Sequence, residues 1–247
     1  MKMSTEKIYR ATISSIENNL PNTDSLKHLD IGSGTGELIK RLQGVRAKLI
    51  SDACDYTDTL IELKGQKVDI VDLNDDLLPY ADDTYDLVTA TEVIEHLENP
   101  RLFVREINRV LKPGGVCVLS TPNVLNLNSR LRYLWFGFPT LFGPLPIGSR
   151  KLESCSGHIS PISYYYVYHA MKESGFDEIS LSIDKFQRSG MLKLLFLGLP
   201  IKIKDFLIKS KERRKNTIDD ANVNVVNKIN AIEMLLGRTI IVTAIKK

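Results

Sequence analysis

Residues 28–37 read His28-Leu29-Asp30-Ile31-Gly32-Ser33-Gly34-Thr35-Gly36-Glu37. The apolar run Leu26–Ile31 predicts a short strand, and the alternate glycines after it predict a sharp turn that a ligand can approach closely. Helical spacing resumes with Leu38, Ile39 and Leu42, so the first amides of that helix would point at an anionic group. The stretch therefore predicts the first strand, loop and helix of an α/β sheet with a ligand at the loop.

Strands and helices alternate along the rest of the chain. Further strands are predicted over Ala47–Ser51, Val68–Leu73, Tyr85–Ala90, Val116–Ser120, Ile179–Ile183 and Thr239–Ile245. Helices are predicted over 4–20, 37–43 and 99–112, and from Ser160 to Gly175. This alternation predicts a doubly wound, mainly parallel sheet, in which ligands bind outside the carboxyl ends of the strands.

Composition excludes several classes of protein. The 247 residues carry 33 basic and 30 acidic side chains, and a net charge of +3 gives no strong field for nucleic acid. Three cysteines, Cys54, Cys117 and Cys155, are too few for a disulfide framework, which favours a cytoplasmic setting. We expect neither a signal peptide in the first twenty residues nor a membrane span, because Lys193, Gly198 and Pro200 interrupt the longest apolar stretch.

The glycine spacing argues against a nicotinamide cofactor. A dinucleotide fingerprint requires G-x-G-x-x-G, with its third glycine packed beneath a pyrophosphate. This loop reads G-x-G-x-G and is followed by Glu37, whose carboxylate would repel a pyrophosphate.

Across residues 26–183 and the final strand, the chain resembles the class I S-adenosylmethionine-dependent methyltransferases. After the glycine loop come an acid following the second strand, Asp72-Leu73, Leu78-Pro79-Tyr80, Thr84-Tyr85-Asp86-Leu87-Val88, Glu92-Val93-Ile94-Glu95-His96-Leu97 and Leu111-Lys112-Pro113-Gly114-Gly115. The resemblance implies a Rossmann-like, seven-stranded, mostly parallel sheet with an antiparallel last strand. It implies a single domain over 1–247, with an N-terminal helical cap (1–22), a substrate lid (123–157) and a helical insertion before the last strand (185–237).

The same resemblance assigns the cofactor contacts. Asp30 and the backbone of Gly32, Ser33, Gly34 and Gly36 would hold the methionine end of S-adenosylmethionine. A carboxylate can bind both ribose hydroxyls, and Asp52 is preferred to Asp55 for this role, although the strand register leaves both open. Asp72 would accept a hydrogen bond from the adenine amino group, Leu73 would pack on the ring, and Thr91 completes the set.

Glu92, Glu95 and His96 would share one helical face if a helix begins near Thr91. His96 could then act as a general base toward an acceptor hydroxyl. Alternatively, the three side chains could bind Mg²⁺, as similar segments do in methyltransferases of quinone biosynthesis and of small-RNA ends. A third interpretation is structural, with Glu92 at the start of the helix and His96 bonded between helix and sheet.

The two insertions are the candidate acceptor elements. His158, in Gly157-His158, would contact substrate or act as a second base, whereas His28 and His169 are expected to be ordinary. The lid holds Tyr133, Trp135, Phe136, Phe138 and Phe142 together with Arg130, Arg132, Arg150 and Lys151. It would either cover a flat, partly anionic acceptor or pack on the sheet as a structural cap.

In the second insertion, residues 191–200 are very apolar, and residues 202–215 hold seven basic side chains against the acids Asp205 and Glu212. This order is typical of a helix at an anionic membrane surface. A core-packed helix with a solvated tail and a homodimer contact are the alternatives.

The function predicted from these features is methyl transfer to a hydroxyl of a small molecule or glycan. Ser120-Thr121-Pro122-Asn123 and the Gly-His segment resemble methyltransferases of cell-surface polysaccharide and lipid-linked sugar synthesis, which suggests a nucleotide- or lipid-carried sugar. The rival functions are a catalytically silent methyltransferase-like scaffold, a nicotinamide-dependent oxidoreductase and a nucleic-acid methyltransferase.

Overall fold

A computed structural model describes residues 6–21, 25–145 and 157–247. Its seven strands form one sheet in the order β3-β2-β1-β4-β5-β7-β6. The strands are β1 (Lys27–Ile31), β2 (Ile50–Asp55), β3 (Asp69–Ile70), β4 (Tyr85–Thr91), β5 (Leu111–Pro122), β6 (Phe176–Ile183) and β7 (Thr239–Lys246). The predicted α/β class and strand number are confirmed.

The strand directions bring distant segments to one edge of the sheet. Strands β1 to β5 pair in parallel, whereas β7 runs antiparallel to both β5 and β6, as predicted. Pro122 at the end of β5 therefore lies beside Thr239 at the start of β7. The carboxyl ends of β1, β2, β4, β5 and β6 meet the start of β7 at this edge, which we call the carboxyl edge.

The helices cover both faces of the sheet. They are α1 (Glu6–Asn19), α2 (Glu37–Val45), α3 (Pro100–Val110), α4 (Leu127–Phe136), α5 (Tyr164–Glu173), α6 (Arg188–Arg214), α7 (Val223–Lys228) and α8 (Ile232–Leu236). Helix α3 begins where expected, because Asn99 accepts a hydrogen bond from the Leu102 amide at 3.0 Å and Pro100 occupies the first helical position. The central strands bury continuous apolar runs, as a sheet covered on both faces requires.

Several predicted boundaries were wrong. The second strand begins three residues later than predicted and ends at Asp55, because its parallel pairing with β1 continues to Cys54 beside Ile31. The third strand keeps only two residues of the predicted six. No helix begins at Thr91; a single 3₁₀ turn spans Ile94–His96. Helix α5 begins at Tyr164 instead of Ser160.

Each insertion supplies helices near the carboxyl edge. Residues 123–145 contain α4, whereas Arg150, Lys151 and Cys155 lie outside the described residues. Residues 185–237 contain α6, α7 and α8. Over the described ranges, no helix has the length and apolarity needed to cross a bilayer.

Candidate active site

The glycine loop forms a backbone cradle at the carboxyl edge. Gly32, Gly34 and Gly36 all have positive φ, at 69°, 50° and 78°, the region that glycine adopts without steric cost. The Gly32 amide donates to the carbonyl of Cys54 at 2.8 Å, which fixes the loop against the end of β2. The Ser33 amide donates to the same carbonyl at 3.2 Å, while the Ser33 hydroxyl is buried without a partner among the described residues.

Two of these glycines lie where a side chain has no room. A Cβ atom on Gly32 would lie 2.4 Å from a methyl carbon of Val93, and one on Gly36 would lie 2.7 Å from Ile61. The loop is thus shaped by close approach of neighbouring segments as well as by its backbone angles.

Asp30 is buried at the end of β1 and belongs to a polar chain that crosses three strands. The Thr89 hydroxyl donates to Asp30 Oδ1 at 2.6 Å. His28 places its Nε2 atom 2.8 Å from Thr89 Oγ1 and its Nδ1 atom 3.0 Å from the Ser51 hydroxyl. Because Thr89 already donates to Asp30, its oxygen accepts from His28 Nε2–H, so His28 is the Nε2-protonated tautomer. His28, expected from the sequence to be ordinary, is thus a buried member of this hydrogen-bonded chain.

Burial shifts the pKa values of Asp30 and His28 in this series of hydrogen bonds. It raises the pKa of Asp30 from 3.8 to about 7, with the nearby Asp55 charge adding to the rise and the Thr89 hydrogen bond opposing it. Burial also lowers the pKa of His28 to about 3, so the imidazole is neutral at physiological pH. A carboxylate that titrates near neutrality beside a glycine cradle suits an ammonium group as its partner.

The geometry separates the two candidate ribose acids. Asp55 ends β2 beside the glycine loop, where its Oδ2 accepts from the Gly34 amide at 2.8 Å and its Oδ1 from the Tyr56 amide at 2.8 Å. Asp52 lies three residues earlier, about 10 Å along the strand, and is exposed. Tyr85 donates to Asp52 Oδ2 at 2.8 Å. The structure thus brings Asp55, and not the preferred Asp52, to the loop.

The remaining cofactor candidates lie along the same edge. Asp72 and Leu73 are half-buried in the loop after β3, where Asp72 Oδ1 accepts from the Asn74 amide at 3.0 Å. Thr91 is the last residue of β4 and pairs with Ser120 of β5. Its hydroxyl oxygen is buried without a hydrogen-bonding partner in the described part of the chain.

Glu92 and Glu95 are not joined by a helix, and each carboxylate accepts from a neighbouring hydroxyl of β5, that of Ser120 or Thr121. Glu92 adopts a left-handed backbone (φ 57°), and its amide donates to the Ser120 carbonyl at 3.1 Å. Burial raises its pKa to about 7, while the Arg238 charge opposes the rise. Glu95 is fully buried and accepts from the Thr121 hydroxyl at 3.1 Å; burial and the Glu92 charge raise its pKa well above the usual range.

His96 of the 3₁₀ turn and His158 of the segment before α5 contact each other. Their ring centroids are 4.8 Å apart in an edge-to-face arrangement, and Phe142 packs against His158 at 5.2 Å. His96 Nδ1 lies 3.2 Å from the Gly157 carbonyl, which can only accept, so Nδ1 carries the proton and Nε2 keeps a free lone pair. Burial lowers the pKa of both imidazoles, and the His96 charge lowers that of His158 further.

The sequence grouped Glu92, Glu95 and His96 as metal ligands, and the structure forms a different group. Ligand atoms of Glu95, His96 and His158 lie within 4.8 Å of one another, and Glu92 is not among them. Glu95 Oε1 and His158 Nδ1 are buried without hydrogen-bonding partners among the residues described, which leaves both available to a ligand. Two imidazoles and one carboxylate suit zinc or iron better than Mg²⁺, which prefers oxygen ligands.

The two lid arginines within the described residues, Arg130 and Arg132, are engaged within the chain. Arg130 donates to the Leu125 carbonyl and to Asn230 Oδ1, at 2.5 and 2.6 Å. Arg132 donates to the carbonyls of Phe138 and Phe142 at 3.1 and 2.6 Å. Arg130 therefore fastens α4 to the loop between α7 and α8, and Arg132 fastens it to the segment that follows α4, so both side chains use hydrogen-bond donors within the chain. Trp135 is 82% exposed, so it does not cover the site in this structure.

A family profile described as a methyltransferase domain matches residues 5–181. The chain belongs to this methyltransferase family. It is a class I S-adenosylmethionine-dependent methyltransferase domain, and the nicotinamide alternative is wrong. The buried carboxylates and the glycine cradle with no room for a Cβ fit that cofactor.

Two curated relatives illustrate the sequence similarity. A probable S-adenosylmethionine-dependent methyltransferase of Mycolicibacterium smegmatis is 38% identical over 38% of this chain and 37% of its own length. A mitochondrial ubiquinone biosynthesis O-methyltransferase of Dictyostelium discoideum is 28% identical over 60% of this chain and 50% of its own. The methyltransferase thus spans about half or less of these curated relatives.

A solved methyltransferase structure from Archaeoglobus fulgidus matches 98% of this chain and 95% of its own, with a TM-score of 0.59 at 17% identity. The phosphoethanolamine N-methyltransferase 2 of Haemonchus contortus, solved with S-adenosylmethionine, matches 96% of this chain and 52% of its own, with a TM-score of 0.55 at 14% identity. At these identities the likeness supports the fold alone.

In this methyltransferase, sequence reasoning missed Thr89 and did not predict that His28 would bond to it beside Asp30. A threonine inside the apolar run of β4 was the available signal, since a buried hydroxyl needs a partner. It also missed Arg238 and Asp184, whose charges act on Glu92 from the start of β7 and the end of β6. Nothing local marks these two residues, because only the sheet topology brings them to the carboxyl edge.

Proposed function

We propose that the domain transfers the methyl group of S-adenosylmethionine to a hydroxyl oxygen, with His96 as the general base. The observation that supports this is the neutral His96 imidazole, whose Nδ1–H faces the Gly157 carbonyl so that Nε2 can accept a proton. His96 follows β4, which pairs with β1, and it lies three residues after Val93, the residue that packs against Gly32 of the cradle. A hydroxyl acceptor must lose its proton during the reaction, and a base of this kind contributes about 10²–10⁴-fold to the rate.

The residues divide the reaction between them. S-adenosylmethionine supplies an electrophilic methyl group on a sulfonium, so transfer is a displacement in which a C–O bond forms and the C–S bond breaks toward sulfur. Asp30, the glycine cradle and Asp55 would hold the cofactor, with Asp72 and Leu73 toward its adenine and Thr91 at the end of β4, on the other side of β1. His96 orients the hydroxyl and takes its proton at Nε2. Alignment of the reacting groups contributes most, roughly 7–11 kcal/mol in favourable systems.

For the acceptor we propose a sugar hydroxyl on a nucleotide- or lipid-carried glycan, handled in the cytoplasm. The similarity to a ubiquinone biosynthesis O-methyltransferase supports an oxygen acceptor. The sugar itself rests on the resemblance of Ser120–Asn123 and Gly157-His158 to polysaccharide-synthesis enzymes. A screen of nucleotide sugars, lipid-linked sugars and quinone precursors with labelled cofactor tests this assignment.

His96→Ala tests the base. We expect it to leave the affinity for S-adenosylhomocysteine near the wild-type value and to reduce turnover of a screened acceptor by about 10²–10⁴-fold. His169→Ala, on α5, is the matched control and should retain turnover. Undiminished turnover of the His96 variant would refute the proposal, and cofactor binding without transfer to any acceptor would indicate a silent scaffold.

One observation favours a metal-assisted form of the same reaction. The group of Glu95, His96 and His158 could hold a divalent cation that orients the acceptor oxygen. We expect zinc to bind the apo protein with one-to-one stoichiometry in calorimetry and His158→Ala to abolish this binding. If zinc does not bind and chelators leave turnover unchanged, His96 acts without a metal.

A further inference from the structure

Helix α6 presents two apolar faces, of which one packs on the protein. Leu194, Leu197 and Ile201 lie against Leu127 and the end of α8. The same side is held further along, where Asp205 accepts from Asn230 at 2.6 Å and pairs with Lys209 at 2.6 Å. The first half of the inner face is therefore packed on the protein, whereas Ile208 further along the same side is 57% exposed.

The opposite face is apolar and exposed. At 100° per residue, six large side chains lie within about 100° of one another and directly opposite the inner face. They are Leu192, Leu195, Phe196, Leu199, Ile203 and Phe206. Leu195 is 75% exposed and Phe196 70%. We call these six residues the outer stripe; it extends for about 21 Å along the helix.

The charges around the outer stripe are basic. Arg188 precedes the stripe on the same side of the helix, Lys202 lies at its margin, and Arg213 and Arg214 follow it, all of them exposed. The two acids of the helix lie on the inner side: Asp205 pairs with Lys209, and Glu212 with Lys215 at 3.6 Å. The outer side thus combines apolar and cationic side chains without a carboxylate.

A neighbouring helix adds aromatic side chains of the kind found at bilayer interfaces. Helix α4 contacts the start of α6 through Asn128, which donates to Ser189 Oγ at 2.9 Å. Its last turn exposes Tyr133, Trp135 and Phe136. Tryptophan and tyrosine are enriched at the headgroup level of membranes.

From these observations we propose that α6 lies on an anionic bilayer with the outer stripe among the acyl chains and Lys202, Arg213 and Arg214 among the headgroups. An apolar stripe bordered by cations is the pattern of interfacial helices, and anionic headgroups complement charges that no carboxylate of this face neutralises. This docking would bring the carboxyl edge to a lipid-carried acceptor. Only this role in reaching the acceptor rests on the proposed function, because binding to lipid requires no methyl transfer.

Co-sedimentation of the full chain with lipid vesicles tests the proposal. We expect binding to phosphatidylcholine vesicles that contain about 30% phosphatidylglycerol, weaker binding to phosphatidylcholine alone, and weakening by salt. Leu195→Glu combined with Phe206→Glu should reduce vesicle binding at least tenfold. Tyr166→Glu, at an exposed aromatic residue on α5, should leave it unchanged. Lys202→Glu should reduce binding to anionic vesicles alone.

Three results would overturn the proposal. The first is wild-type protein that does not sediment with anionic vesicles, and the second is a double variant that binds them as well as the wild type. The third is a dimer in sedimentation velocity that Leu195→Glu dissociates, because the outer stripe would then be an interface between two copies. Circular dichroism and the affinity for S-adenosylhomocysteine verify that each variant is folded, and their retention separates loss of docking from failure of the methyltransferase assignment.

Discussion

The glycine loop and the outer stripe of helix α6 differ in how closely the rest of the protein packs against them. In the loop, Gly32 and Gly36 have no room for one added methyl group, and the amides of Gly32 and Gly34 bond inside the chain. The large side chains of the outer stripe of α6 are exposed in the described structure. The loop is therefore fixed by contacts within the protein, whereas no contact within the described residues accounts for the outer stripe. Substitutions should separate the two regions clearly.

The largest effect is expected at Gly32. In Gly32→Ala the new Cβ meets Val93 at 2.4 Å while the backbone stays at φ 69°, so overlap and backbone strain should destabilise the fold by about 3–5 kcal/mol. Affinity for S-adenosylhomocysteine should fall more than about 100-fold, since the cradle must open. Urea denaturation and calorimetry measure the two effects.

Gly65→Ala is the matched control, because Gly65 has φ 80° but nothing within 4 Å of an added Cβ. It should cost about 1–2 kcal/mol, from backbone strain alone, and leave cofactor affinity intact. Equal losses in the two variants would show that crowding contributes nothing at the loop.

An intermediate effect is expected from Asp30, through pH. Because burial raises its pKa from 3.8 to about 7, the folded chain retains a proton that the unfolded chain has released between these values. The apo protein should thus lose stability as pH rises from about 4 to 7. Affinity for S-adenosylhomocysteine should instead rise about tenfold from pH 6 to 8, as the carboxylate that pairs with its ammonium ionises.

Asp30→Asn should remove both pH dependences and bind the cofactor weakly throughout. Asp52→Asn, at an exposed carboxylate on β2, should keep the wild-type pH profile and affinity. A pH-independent wild-type affinity would contradict the role of Asp30, and a weakened Asp52 variant would restore Asp52 as a cofactor residue.

The smallest effect should distinguish the two faces of α6. Leu197→Ala removes a side chain that packs on Leu127 and α8, and should lower the free energy of unfolding by about 1–2 kcal/mol. Leu195→Ala, on the outer stripe, should change it by less than about 0.5 kcal/mol. Thermal and urea unfolding in solution measure both, and similar losses would mean that the stripe is covered by the protein itself.

Local sequence patterns predicted most of the fold but misplaced residues whose roles depend on register. The glycine loop, the helix start at Asn99-Pro100 and the central strands followed from spacing and capping, which act over a few residues. The structure places Asp55, and not the preferred Asp52, at the loop because β2 begins three residues later than predicted, and a strand end cannot be read from Ser51-Asp52-Ala53-Cys54-Asp55 alone. Likewise, the predicted helix at Thr91 placed Glu92 on one face with Glu95 and His96. The structure has only a 3₁₀ turn, which contains Glu95 and His96 and begins after Glu92.

By itself, the sequence determined the α/β class, the cofactor loop and the methyltransferase resemblance, because these depend on contiguous residues whose backbone preferences are local. Only the tertiary structure decided that Asp55 reaches the loop, that His158 joins Glu95 and His96, and that Thr89 connects His28 to Asp30. It also decided which side of α6 is free, since apolar residues occupy both faces of that helix. These outcomes depend on strand pairing and packing between distant segments, and a one-dimensional pattern does not contain that information.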